Sequence, residues 1–300
     1  MKSFKGVIYA LISSGTFGLI PLFSIPLMTD SNMGLPSILF YRFLFSTLLM
    51  GAICLFKKES FRISKKSVVT ISWLGVLYAA TAMCLIYSYK YIASGLATTI
   101  HFLYPIAVSF LMVAFFKERK SIVLFLAAVL SLIGVALLCW SGEGGVNLVG
   151  IAIASLTVIT YSVYIVGINQ SSVHKMNAEI LTFYILLSGA VLFFIFAATS
   201  DGGVELIPDA TALWRLSLLA FLPTVISDLT LILAIKYAGS TITSILGSME
   251  PLVAVLIGVL YFSEYFNLNS AFGILLILVS VSLVIIFGKQ KKDSISGNNH

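Results

Sequence analysis

The sequence predicts an all-helical integral membrane protein, with ten transmembrane helices in two inverted repeats of five. Three observations predict this fold. Apolar residues make up 59% of the 300 residues, charged residues only 10%, and the mean hydropathy is +1.07, whereas soluble domains are roughly 25% charged. Ten apolar runs each approach the roughly 20 residues that a helix needs to cross a bilayer. One long segment also recurs in the second half of the chain.

The ten apolar runs follow one another with short polar connections. The first run is preceded by Lys2 and Lys5 and is similar to a secretory signal, but it is too long and has no small-residue cleavage site after it. We therefore interpret it as a membrane helix. The predicted spans are 6–26, 35–56, 67–89, 93–116, 121–140, 147–169, 179–199, 213–235, 240–262 and 268–287.

The recurring segment divides the chain into two halves. KYIASGLATTIHFLYPIAVSFLMVAFFKE at 90–118 returns as KYAGSTITSILGSMEPLVAVLIGVLYFSE at 236–264, with no gap and a constant offset of 146 residues. Such self-similarity indicates a duplicated structural unit. We expect a first repeat at 1–140, a second repeat at 147–288, and a polar cytoplasmic tail at 289–300.

The loop charges predict how the repeats are oriented. If the N-terminus is cytoplasmic, most Lys and Arg residues fall on the inner side, as the positive-inside rule requires. Both termini are then cytoplasmic, and the short loops and polar tail favour a bacterial inner (plasma) membrane. Because each repeat has an odd number of spans, the second repeat enters from the opposite side. Inverted repeats of this kind are typical of transporters that work by alternating access.

The fourth and ninth spans carry the strongest repeat, and each contains a proline in mid-membrane. Pro105 and Pro251 each remove a backbone donor and predict a kink near the bilayer centre. On the ninth span, small residues at helical spacing predict one close-packing face. The face indicates either a sliding contact between the repeats or ordinary tight packing, and its members are Ser240, Ser244, Gly247, Ala254 and Gly258.

The residues before the two prolines differ. Glu250 precedes Pro251, whereas Tyr104 precedes Pro105, so a carboxylate and a phenol are expected to approach the pseudo-two-fold axis from opposite repeats. A charged group at this depth is costly and often functional. Glu250 is therefore a candidate for substrate or proton binding. The alternative is structural, with its side chain satisfying broken backbone or pairing with Arg42.

Two other charged residues lie at membrane depth. Arg42 lies roughly 10 Å below the outer end of the second span, where it either snorkels to the headgroups or binds a substrate carboxylate, a phosphate or Glu250. Asp228 lies in the eighth span, where it either faces a cavity or pairs with Lys236, two helical turns further on.

His101 shares the helical face of Pro105 and is the fourth titratable candidate. It is either a ligand or a packed, hydrogen-bonded side chain. No second histidine or cysteine stands at metal-ligand spacing, so neither a metal nor a cofactor is expected. Further aromatic candidates for the wall of an apolar pocket are Tyr41, Tyr87, Tyr161, Tyr164 and Tyr184.

Two five-helix halves, with a fourth span ending LYPIAVSFLMVAFFKE and a ninth ending MEPLVAVLIGVLYFSE, resemble the drug/metabolite transporter superfamily, and in particular its ten-helix members built from two EamA domains. The resemblance covers about 6–287. It implies an inverted-repeat carrier of small metabolites, often an exporter, with a central cavity lined by helices of both halves. The glutamate-proline pair recurs among members with unlike substrates, which favours an architectural role for Glu250 and Pro251.

The leading hypothesis is a secondary transporter that exports or exchanges a small organic metabolite such as an amino acid. No P-loop appears, so the drive would be a substrate gradient or protons. The alternatives are an intramembrane enzyme, for which a catalytic cluster is missing from the sequence, and a non-transporting membrane scaffold or signalling protein. The expected partners are the substrate and the lipid bilayer, with no nucleic acid; a homodimer is left open.

Overall fold

The computed structural model describes residues 2–88, 91–92, 97, 100–118, 121–138, 147–200, 203–261 and 268–287. Within these ranges the chain is helical and contains no strand. The first half contains helices α1 (Lys2–Phe17), α2 (Ile20–Thr29), α3 (Leu35–Phe56), α4 (Lys65–Ser88), α5 (Tyr104–Phe116) and α6 (Ile122–Leu138).

The second half follows a similar order. Its helices are α7 (Leu148–Gln170), α8 (Ala178–Thr199), α9 (Ala210–Ala220), α10 (Ser227–Ala238), α11 (Ser240–Leu246), α12 (Met249–Tyr261) and α13 (Leu268–Phe287). A short 3-10 helix, Ser172–Lys175, links α7 to α8, and a π-helical segment, Phe221–Ile226, joins α9 to α10.

Six helical segments of the described chain are long and apolar enough to cross a membrane. They are Phe4–Thr29, Leu35–Phe56, Lys65–Ser88, Leu148–Gln170, Ala178–Thr199 and Ala210–Ala238. Three shorter apolar helices accompany them, at Tyr104–Phe116, Ile122–Leu137 and Ala271–Val284. Large apolar side chains such as Phe56, Leu148 and Leu260 face outward, as lipid contact requires. The chain is therefore a multi-pass membrane protein.

Three predicted spans are not single continuous helices, and one of them, the fourth, 93–116, is interrupted by a turn at 102–103. The first, 6–26, breaks at Gly18 and Leu19 between α1 and α2, because glycine is a weak helix former and prolines at 21 and 26 follow it. The ninth, 240–262, breaks at Gly247 and Ser248 between α11 and α12. Parts of the fourth, fifth and ninth spans lie outside the described residues.

Equivalent helices of the two halves pack against each other in opposite directions. Along α3 and α8, the Phe40 ring lies 5.4 Å from that of Phe194, and Lys57 at the end of α3 forms an ion pair of 2.5 Å with Glu179 at the start of α8. The hydrogen bond that Lys57 donates to Glu179 in this ion pair raises the pKa of Lys57 above its ordinary value. The same antiparallel arrangement joins α6 and α13, where Ser280 donates to the Ala127 carbonyl at 2.7 Å.

Helices that are not equivalent in the two repeats also pack against each other across the halves. Helix α1 packs on α10, where Ser13 and Ser227 each donate to the other's backbone carbonyl, at 2.9 and 2.6 Å. Helix α4 packs on α7, where the hydroxyls of Thr81 and Thr160 lie 2.6 Å apart. A shift of 146 residues places Thr81 on Ser227, and places Thr160 on the residue after Ser13 when it is reversed, so the two contacts are nearly equivalent. The two halves therefore interlock through matching pairs of helices.

Candidate functional site

A small cavity lies between the two halves at the level of the helix breaks. Its volume is about 10 Å³, roughly the space that the centre of one water molecule can occupy. Both halves contribute to its wall, which is part hydroxyl and part aromatic. The lining residues are Ala10, Ser13, Ser14, Phe17, Tyr104, Tyr161, Ile165, Leu231, Thr243, Gly247 and Glu250.

Broken helices bring Tyr104 and Glu250 to this cavity from opposite halves. A turn at 102–103 precedes α5, and a turn at 247–248 precedes α12. Pro105 and Pro251 follow these turns in the first helical turn, where proline's missing N–H costs nothing. The amino-terminal ends of α5 and α12 therefore both start beside the cavity. Their partial positive charge favours the Glu250 carboxylate.

The Tyr104 side chain is tightly held. Only 3% of its surface is exposed, and its ring packs against His101 and Phe102 and edge-on against Tyr161 at 4.8 Å. Its hydroxyl points at Gly247, where an added Cβ would overlap it. Glycine at 247 therefore lets the phenol of one half reach the helix break of the other half.

Glu250 has more room than Tyr104. Its side chain is partly buried and borders the cavity. Within the described residues Glu250 forms no ion pair with Arg42. The backbone at the break is instead closed by main-chain bonds, including that from the Glu250 N–H to the Gly247 carbonyl at 3.0 Å.

Arg42 lies inside the bundle and does not snorkel to the headgroups. It is 5% exposed, and its Nε donates to the Thr224 hydroxyl at 2.8 Å. Its Nη2 also points at the Pro223 carbonyl, at 3.4 Å. The snorkelling alternative is therefore wrong, because the π-helical segment offers acceptors within reach of the guanidinium. Arg42 does not border the cavity either.

Asp228 is 1% exposed and does not pair with Lys236. Its Oδ1 accepts a hydrogen bond of 2.7 Å from the Tyr78 hydroxyl, while Lys236 donates to the Met176 carbonyl. The predicted pair fails because Asp228 faces α4 in the bundle interior, whereas Lys236 lies at the far end of α10.

His101 takes the packed, hydrogen-bonded alternative. Its Nδ1 lies 2.9 Å from the Thr157 hydroxyl, and its ring contacts Tyr104 and Tyr161, each at 5.3 Å between centroids. It is 6% exposed and does not line the cavity. His101 thus supports the aromatic wall from behind.

The predicted close-packing face does not persist as one face. Ser240 and Ser244 are buried, but so is every residue of α11, so no single side of that helix is distinguished. The break after Leu246 then interrupts the helical phase on which the stripe depended. The side chains of Ala254 and Gly258 lie outside the described part of the chain.

The structure separates the aromatic candidates into three environments. Tyr161 lines the cavity, and Tyr164 stacks between Tyr161 and Tyr78 at 5.9 and 5.1 Å. Tyr41 and Tyr184 donate instead to loop carbonyls, each at 2.8 Å. Tyr87 is 41% exposed.

Sequence reasoning missed several wall residues. Ser13, Ser14 and Thr243 were not singled out, because serine and threonine are common in membrane helices and only the packing of α1 on α10 and α11 gives them a role. A Ser-Ser pair midway along the first apolar run was the available signal. The described residues contain no group of three or more His, Cys, Asp or Glu side chains arranged to hold a metal.

Comparisons with known proteins agree with this architecture. A model of the EamA-like transporter family matches residues 4–140 and again 148–286. A solved crystal structure, titled only as that of a protein, superposes with a TM-score of 0.78 at 17% identity, covering 96% of this chain and 98% of that chain; at that identity the likeness shows the fold alone. A search of curated protein sequences finds no significant match.

Proposed function

Because the chain belongs to the EamA-like transporter family, we propose that it is a secondary transporter of a small organic metabolite such as an amino acid. The observation that carries this proposal is the cavity that Tyr104 and Glu250 border from breaks in equivalent helices of the two halves. Carriers with repeated halves bind substrate near the bilayer midplane, at the repeat interface and beside discontinuous helices.

The proposed mechanism is alternating access between inverted repeats. Its support is the antiparallel packing of α3 on α8 and of α6 on α13, since equivalent helices that run in opposite directions belong to oppositely oriented halves. On this proposal each half crosses the membrane five times, with both termini in the cytoplasm of a cell whose inner (plasma) membrane holds the protein. Two packings related by the pseudo-two-fold axis would then open to opposite sides.

The wall chemistry suits a substrate with both an amine and a carboxylate. Glu250 supplies a charged acceptor, and the hydroxyls of Ser13 and Thr243 keep free lone pairs after donating to backbone carbonyls. The phenols of Tyr104 and Tyr161 are the available donors on the opposite wall. We propose that a substrate amine binds Glu250 and its carboxylate binds the phenols, while the phenol rings contact its apolar part.

The present conformation is interpreted as occluded. A cavity of about 10 Å³ does not admit an amino acid, so the halves must move apart on one side before substrate enters. The breaks at 18–19, 102–103 and 247–248 are the places where we propose that the cavity-lining helices bend. The proposed activity is export or exchange rather than catalysis, since the family is one of transporters.

Counterflow in proteoliposomes tests this function. Vesicles containing the purified protein are loaded with one unlabelled metabolite at a time from a panel of amino acids and related small metabolites, and uptake of the labelled form is followed. We expect saturable uptake that internal substrate stimulates. Vesicles without protein are the control, and the absence of stimulated uptake across the whole panel would contradict the proposal.

A further inference from the structure

We propose that Asp228 is a buried proton-binding site, separate from the central cavity, and that Arg42 responds to its protonation. One carboxyl oxygen, Oδ1, accepts from Tyr78 at 2.7 Å. The other, Oδ2, has no hydrogen-bond partner among the residues that the structure describes. An ionised carboxylate with one unpaired oxygen is costly in the bundle interior, and a protonated carboxyl group costs less because it carries no net charge.

The position of Arg42 supports a neutral Asp228. The guanidinium lies close enough to act electrostatically on the carboxyl group, yet the described chain shows no ion pair between them. Opposite charges attract strongly where water is excluded. Arg42 instead bonds to Thr224 and Pro223. Because a guanidinium does not lose its proton, the lack of an ion pair is the arrangement that a protonated Asp228 would produce.

The other groups around Asp228 also favour a proton over a metal ion. Tyr78 on α4 donates to it, and Tyr164 on α7 interacts with it electrostatically while its own hydroxyl has no partner in the described chain. Lys236, on the same helix, is engaged at Met176. A hard metal cation requires several oxygen ligands, and a neighbouring guanidinium repels it. A proton needs only Oδ2.

The site is mechanically connected to the cavity. Ser227, beside Asp228, exchanges hydrogen bonds with Ser13 on the cavity wall, and Leu231, one turn further along α10, lines the cavity. Release of the proton to water would leave a carboxylate that draws Arg42 away from Thr224. The Thr224 hydroxyl joins the π-helical segment to α9 by donating to the Leu219 carbonyl at 2.8 Å. Binding of a proton restores the arrangement seen here.

Coupling of this proton to transport rests on the proposed function, but proton binding itself is testable without a substrate. Infrared difference spectra of the purified full-length protein are recorded between alkaline and acidic buffers, following the carbonyl stretch of a protonated carboxyl group. Because all twelve Asp and Glu side chains contribute to this band in acid, we expect one component of it to be lost in Asp228→Asn and retained in Glu250→Gln. Thermal unfolding of each variant in detergent establishes that it is folded.

A second pair of variants keeps the proposal falsifiable if Asp228→Asn fails to fold. Tyr78→Phe removes the donor to Asp228 and is expected to shift the pH midpoint of this component of the band, while Tyr161→Phe, in the same aromatic stack but without that bond, leaves the midpoint unchanged. Loss of this component in Glu250→Gln alone, or a midpoint that Tyr78→Phe does not move, overturns the proposal. If the infrared band behaves as expected but counterflow is absent, the transport function is refuted and proton binding by Asp228 is not.

Discussion

Glu250 and Asp228 are both carboxylic acids at membrane depth in the second half of the chain, yet their surroundings differ. Glu250 starts α12 at a helix break and borders the cavity between the halves. Asp228 lies at the start of α10, directly after a π-helical segment, and is buried against Tyr78. One acid borders a cavity, and the other is packed among side chains.

The difference indicates which ligand each acid can serve. A group beside a cavity can be stabilised by a substrate that enters, and in its absence by water. A group packed among side chains can exchange only something as small as a proton. On the two proposals, Glu250 serves substrate binding and Asp228 serves proton binding, and the mutual bonds of Ser13 and Ser227 connect the two regions.

The largest expected effect comes from Glu250→Gln. Removing a charged acceptor from the cavity wall should lower the apparent substrate affinity in counterflow by roughly 10- to 100-fold, the equivalent of about 1.5–3 kcal/mol for a charged hydrogen bond. Glu59→Gln, in the loop after α3, is the matched control and should behave as wild type. Unchanged affinity in Glu250→Gln would remove Glu250 from the substrate site and leave it an architectural role.

Gly247→Ala is expected to destabilise the protein by about 1–3 kcal/mol, because its Cβ would overlap the packed Tyr104 phenol. The measurement is unfolding in mixed detergent micelles. Gly15→Ala is the control, since a Cβ at that helical position meets nothing within 4 Å and should be neutral or slightly stabilising. Combining Gly247→Ala with Tyr104→Phe should recover part of the loss; if it does not, the contact between the halves is not the cause.

The smallest effect is expected at the connection between the two acids. Ser227→Ala removes the bond to the Ser13 carbonyl and should cost about 1 kcal/mol in the same unfolding measurement. Ser217→Ala is the control, because that exposed hydroxyl bonds only within its own helix, to Leu213. Equal stabilities for the two variants would indicate that α1 and α10 are held together by apolar packing alone.

Much of the architecture could be predicted from the sequence. Composition and apolar run length indicated a helical membrane protein, and the repeat placed Tyr104 and Glu250 in equivalent positions. The two prolines predicted interruptions that the structure has at 102–103 and 247–248. These features depend on local chain chemistry and on symmetry, both of which a single sequence carries.

The environments of the buried polar groups could not be predicted in the same way. Asp228 bonds to a tyrosine 150 positions away, and Arg42 to a threonine 182 positions away, so neither partner is visible in local spacing. The small-residue stripe was predicted on an uninterrupted helix, whereas a turn at 247–248 separates Ser240 and Ser244 from α12.

The break between α1 and α2 places Gly18 directly against the other half of the protein. A Cβ there would lie 2.6 Å from both the Glu250 carbonyl oxygen and the Val253 Cβ. Only Val253→Gly would remove the overlap with the Val253 Cβ, and the overlap with the Glu250 carbonyl oxygen would remain because it is with main chain. Position 18 should therefore be intolerant of every other amino acid in a saturation library, and no second-site change of side chain should rescue it. Position 18 is constrained by the short distance between two main chains. Evolution can relax this constraint only by changing the paths of both helices together.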